Sequence, residues 1–139
     1  MYSINFNCPD IFAGIVERAV KYLKGVKFDT IVFRGFSGAI VGPAVALRLG
    51  KSWALVRKVG DSSHSLRAVE GYILGKYVII DDFIDTGETV NKIISTFSNG
   101  LCAGVYLYNF TWLRGSINPD YRNAIRKSTG GVKVLNWED

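Results

Sequence analysis

The sequence predicts an α/β fold, a mostly parallel β-sheet flanked by helices, within a single domain that covers residues 1–139. Short apolar runs without polar alternation are typical of strands buried on both faces, and residues 77–80 form the clearest of them. Other segments repeat apolar residues at spacings of three and four, which is the pattern of amphipathic helices. Strands that alternate with helices favour parallel pairing through right-handed crossovers.

The first half of the chain is predicted to form a helix, a strand, a second helix and a second strand. The first helix follows Pro9, and Gly25 ends it. The second helix consists mainly of small apolar residues, is capped by Gly50, and is expected to kink or restart at Pro43. The predicted bounds of these four elements are residues 9–23, 30–33, 39–49 and 53–56.

The second half is predicted to begin with a weak strand, interrupted by Gly71, which precedes the clearest strand. Thr89 opens the next helix, because apolar residues recur on one face behind it. A short helix is expected after Pro119, and a final strand before Trp137. The predicted bounds are residues 68–74 and 77–80 for strands, 89–97 for the helix, and 104–110 and 132–135 for the last strands.

Composition restricts the class of protein. The longest apolar runs fall far short of the roughly 20 residues that cross a bilayer, and the first residues lack a signal-peptide pattern, so we expect a cytoplasmic protein without membrane contact. Cys8 and Cys102 lack metal-ligand spacing and are interpreted as reduced thiols. The net charge of +5 admits a polyanionic partner, either nucleic acid or a phosphorylated small molecule. The basic residues are dispersed, which is typical of a solvated surface.

A polar turn follows the clearest strand. Asp81, Asp82 and Asp85 supply three carboxylates, and residues 85–89 lead into the next helix. Backbone N–H groups and the helix dipole attract anions to such a turn, so it predicts a phosphate site. In parallel sheets the ligand crevice lies beyond the carboxyl ends of the strands. Four loops are therefore predicted to share this edge, namely residues 34–38, 57–65, 81–89 and 109–114.

Residues 77–89 resemble the phosphoribosyl-pyrophosphate signature of the type I phosphoribosyltransferases: an apolar strand, an acidic pair, two apolar residues and Asp-Thr-Gly-x-Thr. A second match to the adenine and xanthine members consists of the segments Arg34-Gly35-Phe36, Gly42-Pro43 and Arg57-Lys58. Together the two matches cover about residues 30–108. The resemblance implies that family's fold with a small or reduced hood, and a homodimer.

The resemblance also implies roles for the residues of the signature. Asp81 and Asp82 match the acidic pair that holds the ribose 2′- and 3′-hydroxyls, and they would hold Mg²⁺ indirectly, through these hydroxyls or water. Asp85 matches the carboxylate near the base nitrogen, where it can accept or return a proton. The residues that match the 5′-phosphate cradle are Thr86, Gly87, Glu88 and Thr89.

Arg34 and Gly35 match the pyrophosphate loop, which in this family often carries a non-proline cis peptide before Arg34 or one residue earlier. Arg57 and Lys58 are expected to supply positive charge to the leaving group. Asp85, Arg34 and Lys58 are thus the predicted catalytic residues.

A polar loop at residues 60–67 is expected to close over the reaction, with His64 and Arg67 as candidates for contacting the departing pyrophosphate; the alternative for His64 is a solvated loop residue. Two residues depart from the family pattern: Glu88 places an acid in the phosphate turn, and Phe83 replaces a smaller aliphatic residue. The lysine that reads a 6-oxo group in xanthine and hypoxanthine members has no counterpart near Asn109, which argues against a 6-oxopurine acceptor.

Three functions are compatible with these observations. The first is a Mg²⁺-dependent transfer of the phosphoribosyl group from phosphoribosyl pyrophosphate to a purine or pyrimidine base, with release of pyrophosphate. The alternative is a non-catalytic module that senses phosphoribosyl pyrophosphate and binds nucleic acid, as the basic pI near 9.3 would suit. A third, a nucleotide-binding sheet of another family, needs only the strand, turn and helix.

Overall fold

The computed structural model describes residues 6–58, 68–97, 101–109 and 119–137, and it contains a five-stranded sheet with helices on both faces. The helices are α1 (Pro9–Leu23), α2 (Phe36–Leu49), α3 (Glu88–Thr96) and α4 (Pro119–Ser128). The strands are β1 (Thr30–Phe33), β2 (Ser52–Val56), β3 (Val69–Gly71), β4 (Tyr77–Asp81) and β5 (Cys102–Leu107). No helix in these ranges is long and apolar enough to span a bilayer.

The sheet is mostly parallel, as predicted. Its strand order is β3-β2-β1-β4-β5, and only the β2–β3 pair is antiparallel. From β1 the chain passes through α2 to β2 on one side, whereas from β4 it passes through α3 to β5 on the other. The two central strands therefore diverge at a topological switch point, and a crevice between their carboxyl ends is expected there.

Two apolar clusters cover the two faces of the sheet. In β1, Ile31 and Phe33 pack with α1 and α2, whereas Val32 faces the cluster that includes residues of α3 and α4. All five residues of β4 are buried. Burial on both faces explains why these strands read as unbroken apolar runs rather than as alternating patterns.

Helix α2 begins at Phe36, three residues earlier than predicted, and continues through Pro43 without a restart. Gly35 allows the early start, because its φ of 89° turns the chain sharply and its carbonyl accepts the Ala39 N–H at 3.1 Å. Close packing then holds α2 on β1. A Cβ at Gly42 would lie only 2.5 Å from the Phe33 ring.

Replacing Gly42 by Ala is expected to destabilise the fold by about 1–3 kcal/mol, because the added methyl group overpacks the contact with Phe33. Gly14→Ala is the matched control in α1, where the new Cβ would meet only the end of the Arg18 side chain, at 3.4 Å. That change should stabilise the helix by up to about 1 kcal/mol. Urea denaturation of both variants measures the difference, and equal effects would contradict the close approach of α2 to β1.

The predicted final strand at residues 132–135 is wrong. Val134 forms a single parallel bridge with Val105, and the chain then turns into a short 3₁₀ helix, Leu135–Trp137. The side chain of Asn136 takes the place of a strand: it accepts the Leu107 N–H at 3.1 Å and donates to the Leu107 carbonyl at 2.7 Å. This side chain satisfies the edge of β5 and removes the need for further backbone pairing.

Candidate active site

A cavity of about 420 Å³ lies beyond the carboxyl ends of β1 and β4, at the switch point of the sheet. It brings together ten of the predicted site residues: Arg34, Gly35, Lys58, Asp81, Asp82, Asp85, Thr86, Gly87, Glu88 and Thr89. Segments distant in the sequence thus converge on one space, as the rule for parallel sheets predicts. The roles assigned to the individual residues stay predictions.

Asp81 and Asp82 are held by hydrogen bonds at the end of β4. Asp81 is only 8% exposed, and its Oδ1 accepts hydrogen bonds from the Ser37 hydroxyl at 3.2 Å and from the Asp82 N–H at 2.9 Å. The backbone carbonyls of the two acids accept the N–H groups of Tyr108 and Asn109, at 3.0 and 3.2 Å. The contact between β4 and β5 therefore continues past the strand ends and fixes the acidic pair.

Burial raises the pKa of the Asp81 carboxyl from 3.8 to about 8, and the neighbouring Asp82 adds to this effect. The Asp82 N–H and the Ser37 hydroxyl oppose the rise without cancelling it. Two carboxylates in a poorly solvated place resist double ionisation. The pair thus favours a bound proton, hydroxyl donors or a cation.

The acidic pair fits Mg²⁺, which prefers oxygen ligands and is commonly bound by one or two carboxylates together with substrate oxygens and water. A divalent cation would also relieve the repulsion that raises the pKa of Asp81. Over the part of the chain that the structure describes, no three His, Cys, Asp or Glu side chains converge as a metal site. Asp81 and Asp82 would hold such a cation together with substrate oxygens and water.

The turn before α3 has the geometry of an anion-binding site. Gly87 is the N-cap residue with a φ of 83°, and the Thr86 hydroxyl accepts the Glu88 N–H at 3.3 Å. The end of α4 packs on this turn, since a Cβ at Gly87 would lie 2.8 Å from the Ser128 Oγ. Asn91 of α3 also donates to the Ser128 carbonyl. The amino end of α3 is therefore fixed where it can attract a phosphate.

Arg34 follows β1 and is 8% exposed. Its Nη1 lies 3.9 Å from the Glu88 Oε1, and its buried Nε has no hydrogen-bond partner within the described ranges. Guanidinium groups carry donors that bind phosphate oxygens in a planar fork. An incompletely satisfied guanidinium at the cavity wall therefore fits an anionic ligand.

Gly35 adopts φ 89° and ψ 176°, a combination that is essentially restricted to glycine. The expected cis peptide is absent, because every peptide bond in the described segments is trans. The positive φ of Gly35 redirects the chain instead. Lys58 lies over this glycine, with its Cε and Nζ 3.1 Å from the position that a Cβ of residue 35 would occupy.

The structure does not place Arg57 on the cavity wall. Its Nε and Nη2 donate to the Glu70 Oε1 at 3.2 and 2.7 Å, across the antiparallel β2–β3 pair. This ion pair joins the guanidinium to the carboxylate of β3, and the role expected for Arg57 stays a prediction. His64 and Arg67, with the loop that carries them, lie outside the described residues.

Phe36 and Ser37 also line the cavity, although neither was assigned a role from the sequence. Phe36 is 76% exposed, and the Ser37 hydroxyl donates to the Asp81 Oδ1. Tyr108 supports this first turn of α2, since its hydroxyl donates to the Ser37 carbonyl at 3.0 Å. In the sequence, a site role for Ser37 was indicated only by its position directly after Arg34-Gly35-Phe36. Its partner, Asp81, is seen only in the fold.

Comparisons with known proteins identify phosphoribosyltransferases as relatives of this chain. No family model matches the sequence. The chain is 33% identical over 89 residues to an orotate phosphoribosyltransferase of Sulfolobus acidocaldarius, which corresponds to 63% of this chain and 45% of that protein. It is 28% identical over 124 residues to an adenine phosphoribosyltransferase of Thermosipho melanesiensis, or 76% of this chain and 71% of that protein.

The fold is also that of a solved structure. The crystal structure of adenine phosphoribosyltransferase from Thermoanaerobacter pseudethanolicus matches with a TM-score of 0.63 and 22% identity, over 94% of this chain and 81% of that one. The chain spans about half the length of the orotate phosphoribosyltransferases that it matches. In sequence the chain is similar to orotate and adenine phosphoribosyltransferases, and its fold is that of a solved adenine phosphoribosyltransferase, which together support the type I phosphoribosyltransferase family.

Proposed function

We propose that this protein transfers the 5-phosphoribosyl group of phosphoribosyl pyrophosphate to a ring nitrogen of a nucleobase and releases pyrophosphate. The observation that carries this proposal is that one cavity at the switch point combines an acidic pair with a buried Asp81, a glycine turn at a helix N-terminus and a buried arginine. Each group suits one part of the donor: the ribose hydroxyls, the 5′-phosphate and the pyrophosphate.

Binding of the donor divides among three sets of residues. Asp81 and Asp82 accept hydrogen bonds from the ribose 2′- and 3′-hydroxyls. The turn around Gly87, with the backbone N–H groups at the start of α3, binds the 5′-phosphate. Arg34 and Lys58 bind the pyrophosphate, whose charge they partly neutralise.

The reaction breaks the bond between the anomeric carbon and the pyrophosphate oxygen and forms a bond from that carbon to the base nitrogen. Arg34 and Lys58 stabilise the negative charge that grows on the leaving oxygen. Asp85 accepts the proton that the base nitrogen loses. Mg²⁺, when bound near Asp81 and Asp82, supplies further positive charge to the pyrophosphate.

Adenine and orotate are the first acceptors to test, because the relatives of this chain carry these two bases in their names. A 6-oxopurine is a poorer candidate, since no lysine lies near Asn109. We therefore propose adenine or orotate as the acceptor and expect hypoxanthine to be inactive.

Incubation with phosphoribosyl pyrophosphate, Mg²⁺ and each base in turn tests the proposal through release of pyrophosphate. Adenine or orotate should release pyrophosphate at a rate that depends on base concentration, and hypoxanthine should not. Silence with every base would contradict the transfer reaction. If the donor bound without any release, the non-catalytic alternative would be favoured.

A further inference from the structure

We propose that Glu88 is a tethered competitor of the substrate anion, which lowers the affinity of the site for phosphate and pyrophosphate groups. The inference rests on the proposed function, because it concerns the same cavity. Glu88 would thus weaken the binding of phosphoribosyl pyrophosphate.

The contacts of Glu88 support this role. It is the first residue of α3, its side chain is 79% exposed, and its Oε1 lies 3.9 Å from the Arg34 Nη1. Arg34 is 8% exposed. The pair therefore joins a buried cation at the cavity wall to a carboxylate that is exposed to solvent. An ion pair of this length with one exposed partner is weak, and a stronger anion can replace it.

The Glu88 carboxylate therefore lies close to two groups that attract anions, the amino end of α3 and Arg34. Glu88 lies in the first turn of α3, where the helix dipole favours negative charge, and it also faces Arg34. A phosphate or pyrophosphate must enter the same region and meets the Glu88 charge there. The side chain can rotate toward solvent, but its charge stays near the ligand and opposes binding.

A purely structural role gives a different expectation. If Glu88 only stabilises the start of α3, Glu88→Gln should lower stability and leave anion affinity unchanged or reduced. If Glu88 competes with the ligand, the same substitution should lower stability slightly and raise anion affinity. The two measurements then move in opposite directions, which a structural role does not produce.

Calorimetric titration with inorganic pyrophosphate and Mg²⁺ at low salt distinguishes these cases. Glu88→Gln should lower the Kd about threefold to tenfold relative to the wild type, and the gain should shrink at high salt. Glu17→Gln is the matched control, since Glu17 is also an exposed helical acid paired with an arginine, Arg48, and does not line the cavity. Its Kd should equal that of the wild type.

The outcomes separate this inference from the proposed function. An unchanged or higher Kd for Glu88→Gln would overturn the competitor role while phosphoribosyl transfer by the wild type still stood. A wild type that neither binds pyrophosphate nor transfers the phosphoribosyl group would overturn the proposed function, and the inference with it.

Discussion

Replacing Asp81 by Asn should reduce kcat/KM for phosphoribosyl transfer by about 10²–10³-fold and yet stabilise the fold at alkaline pH. The activity falls because an amide presents one oxygen and no charge to the ribose hydroxyls and the cation. The fold tolerates the change, since the remaining oxygen can still accept the hydrogen bonds that Ser37 and the Asp82 N–H donate.

The gain in stability follows from the raised pKa of Asp81. Its pKa is about 8 in the folded protein against 3.8 ordinarily, so the folded state holds the proton more tightly than the unfolded state. The stability from this group is complete below pH 3.8 and is lost as the pH rises through about 8. Above that pH, Asp81→Asn should raise the free energy of unfolding by about 1–3 kcal/mol, because no buried charge forms.

Urea denaturation at pH 6 and pH 9, together with initial rates, measures both effects. Asp10→Asn in the first turn of α1 is the control, because Asp10 is exposed and does not line the cavity. It should change neither the activity nor the difference between the two pH values. Full activity of Asp81→Asn, or a variant no more stable at pH 9, would contradict the account of the acidic pair.

Replacing Arg34 by Gln should lower kcat/KM by about 10³-fold, because the site loses the buried cation that faces the leaving pyrophosphate. Arg34→Lys should recover only part of the activity, since an ammonium group keeps the charge but lacks the planar fork. The melting temperature should not fall in Arg34→Gln. The Arg34 Nε is buried without a partner in the described part of the chain, so its removal relieves a desolvation cost.

Steady-state kinetics and thermal denaturation of both variants test this expectation. Arg48→Gln serves as the control, because Arg48 pairs with Glu17 at the surface and lies outside the cavity. Near-wild-type turnover in Arg34→Gln would show that the leaving group is stabilised elsewhere. A large loss of stability would instead show that Arg34 is a structural residue.

Short sequence patterns correctly predicted β1, the acidic pair at the end of β4 and the turn before α3. The bounds of β1 match the prediction because both faces of the strand are buried, which leaves a continuous apolar run. The acidic pair and the turn before α3 were predicted for a similar reason: strand end, turn and helix start are contiguous in the chain. The convergence of Arg34 and Asp81 followed from parallel neighbours sharing one edge.

Contacts between distant segments could not be predicted in this way. The packing of Ser128 on Gly87 depends on where α4 lies, and no periodicity records it. The partner of Arg57 is Glu70 because β3 pairs antiparallel with β2, which the weak run at residues 68–74 did not indicate. Asn136 replaces a strand through its side chain, a solution that a count of apolar residues cannot reveal.

Calorimetric titration of phosphoribosyl pyrophosphate in the presence of Mg²⁺ tests most directly whether the cavity between β1 and β4 is the donor site. The wild type should show saturable binding with one site per chain, Arg34→Gln should raise the Kd at least about tenfold, and Arg48→Gln should leave it unchanged. No saturable binding by the wild type, or a Kd that Arg34→Gln does not alter, would contradict the assignment of the cavity.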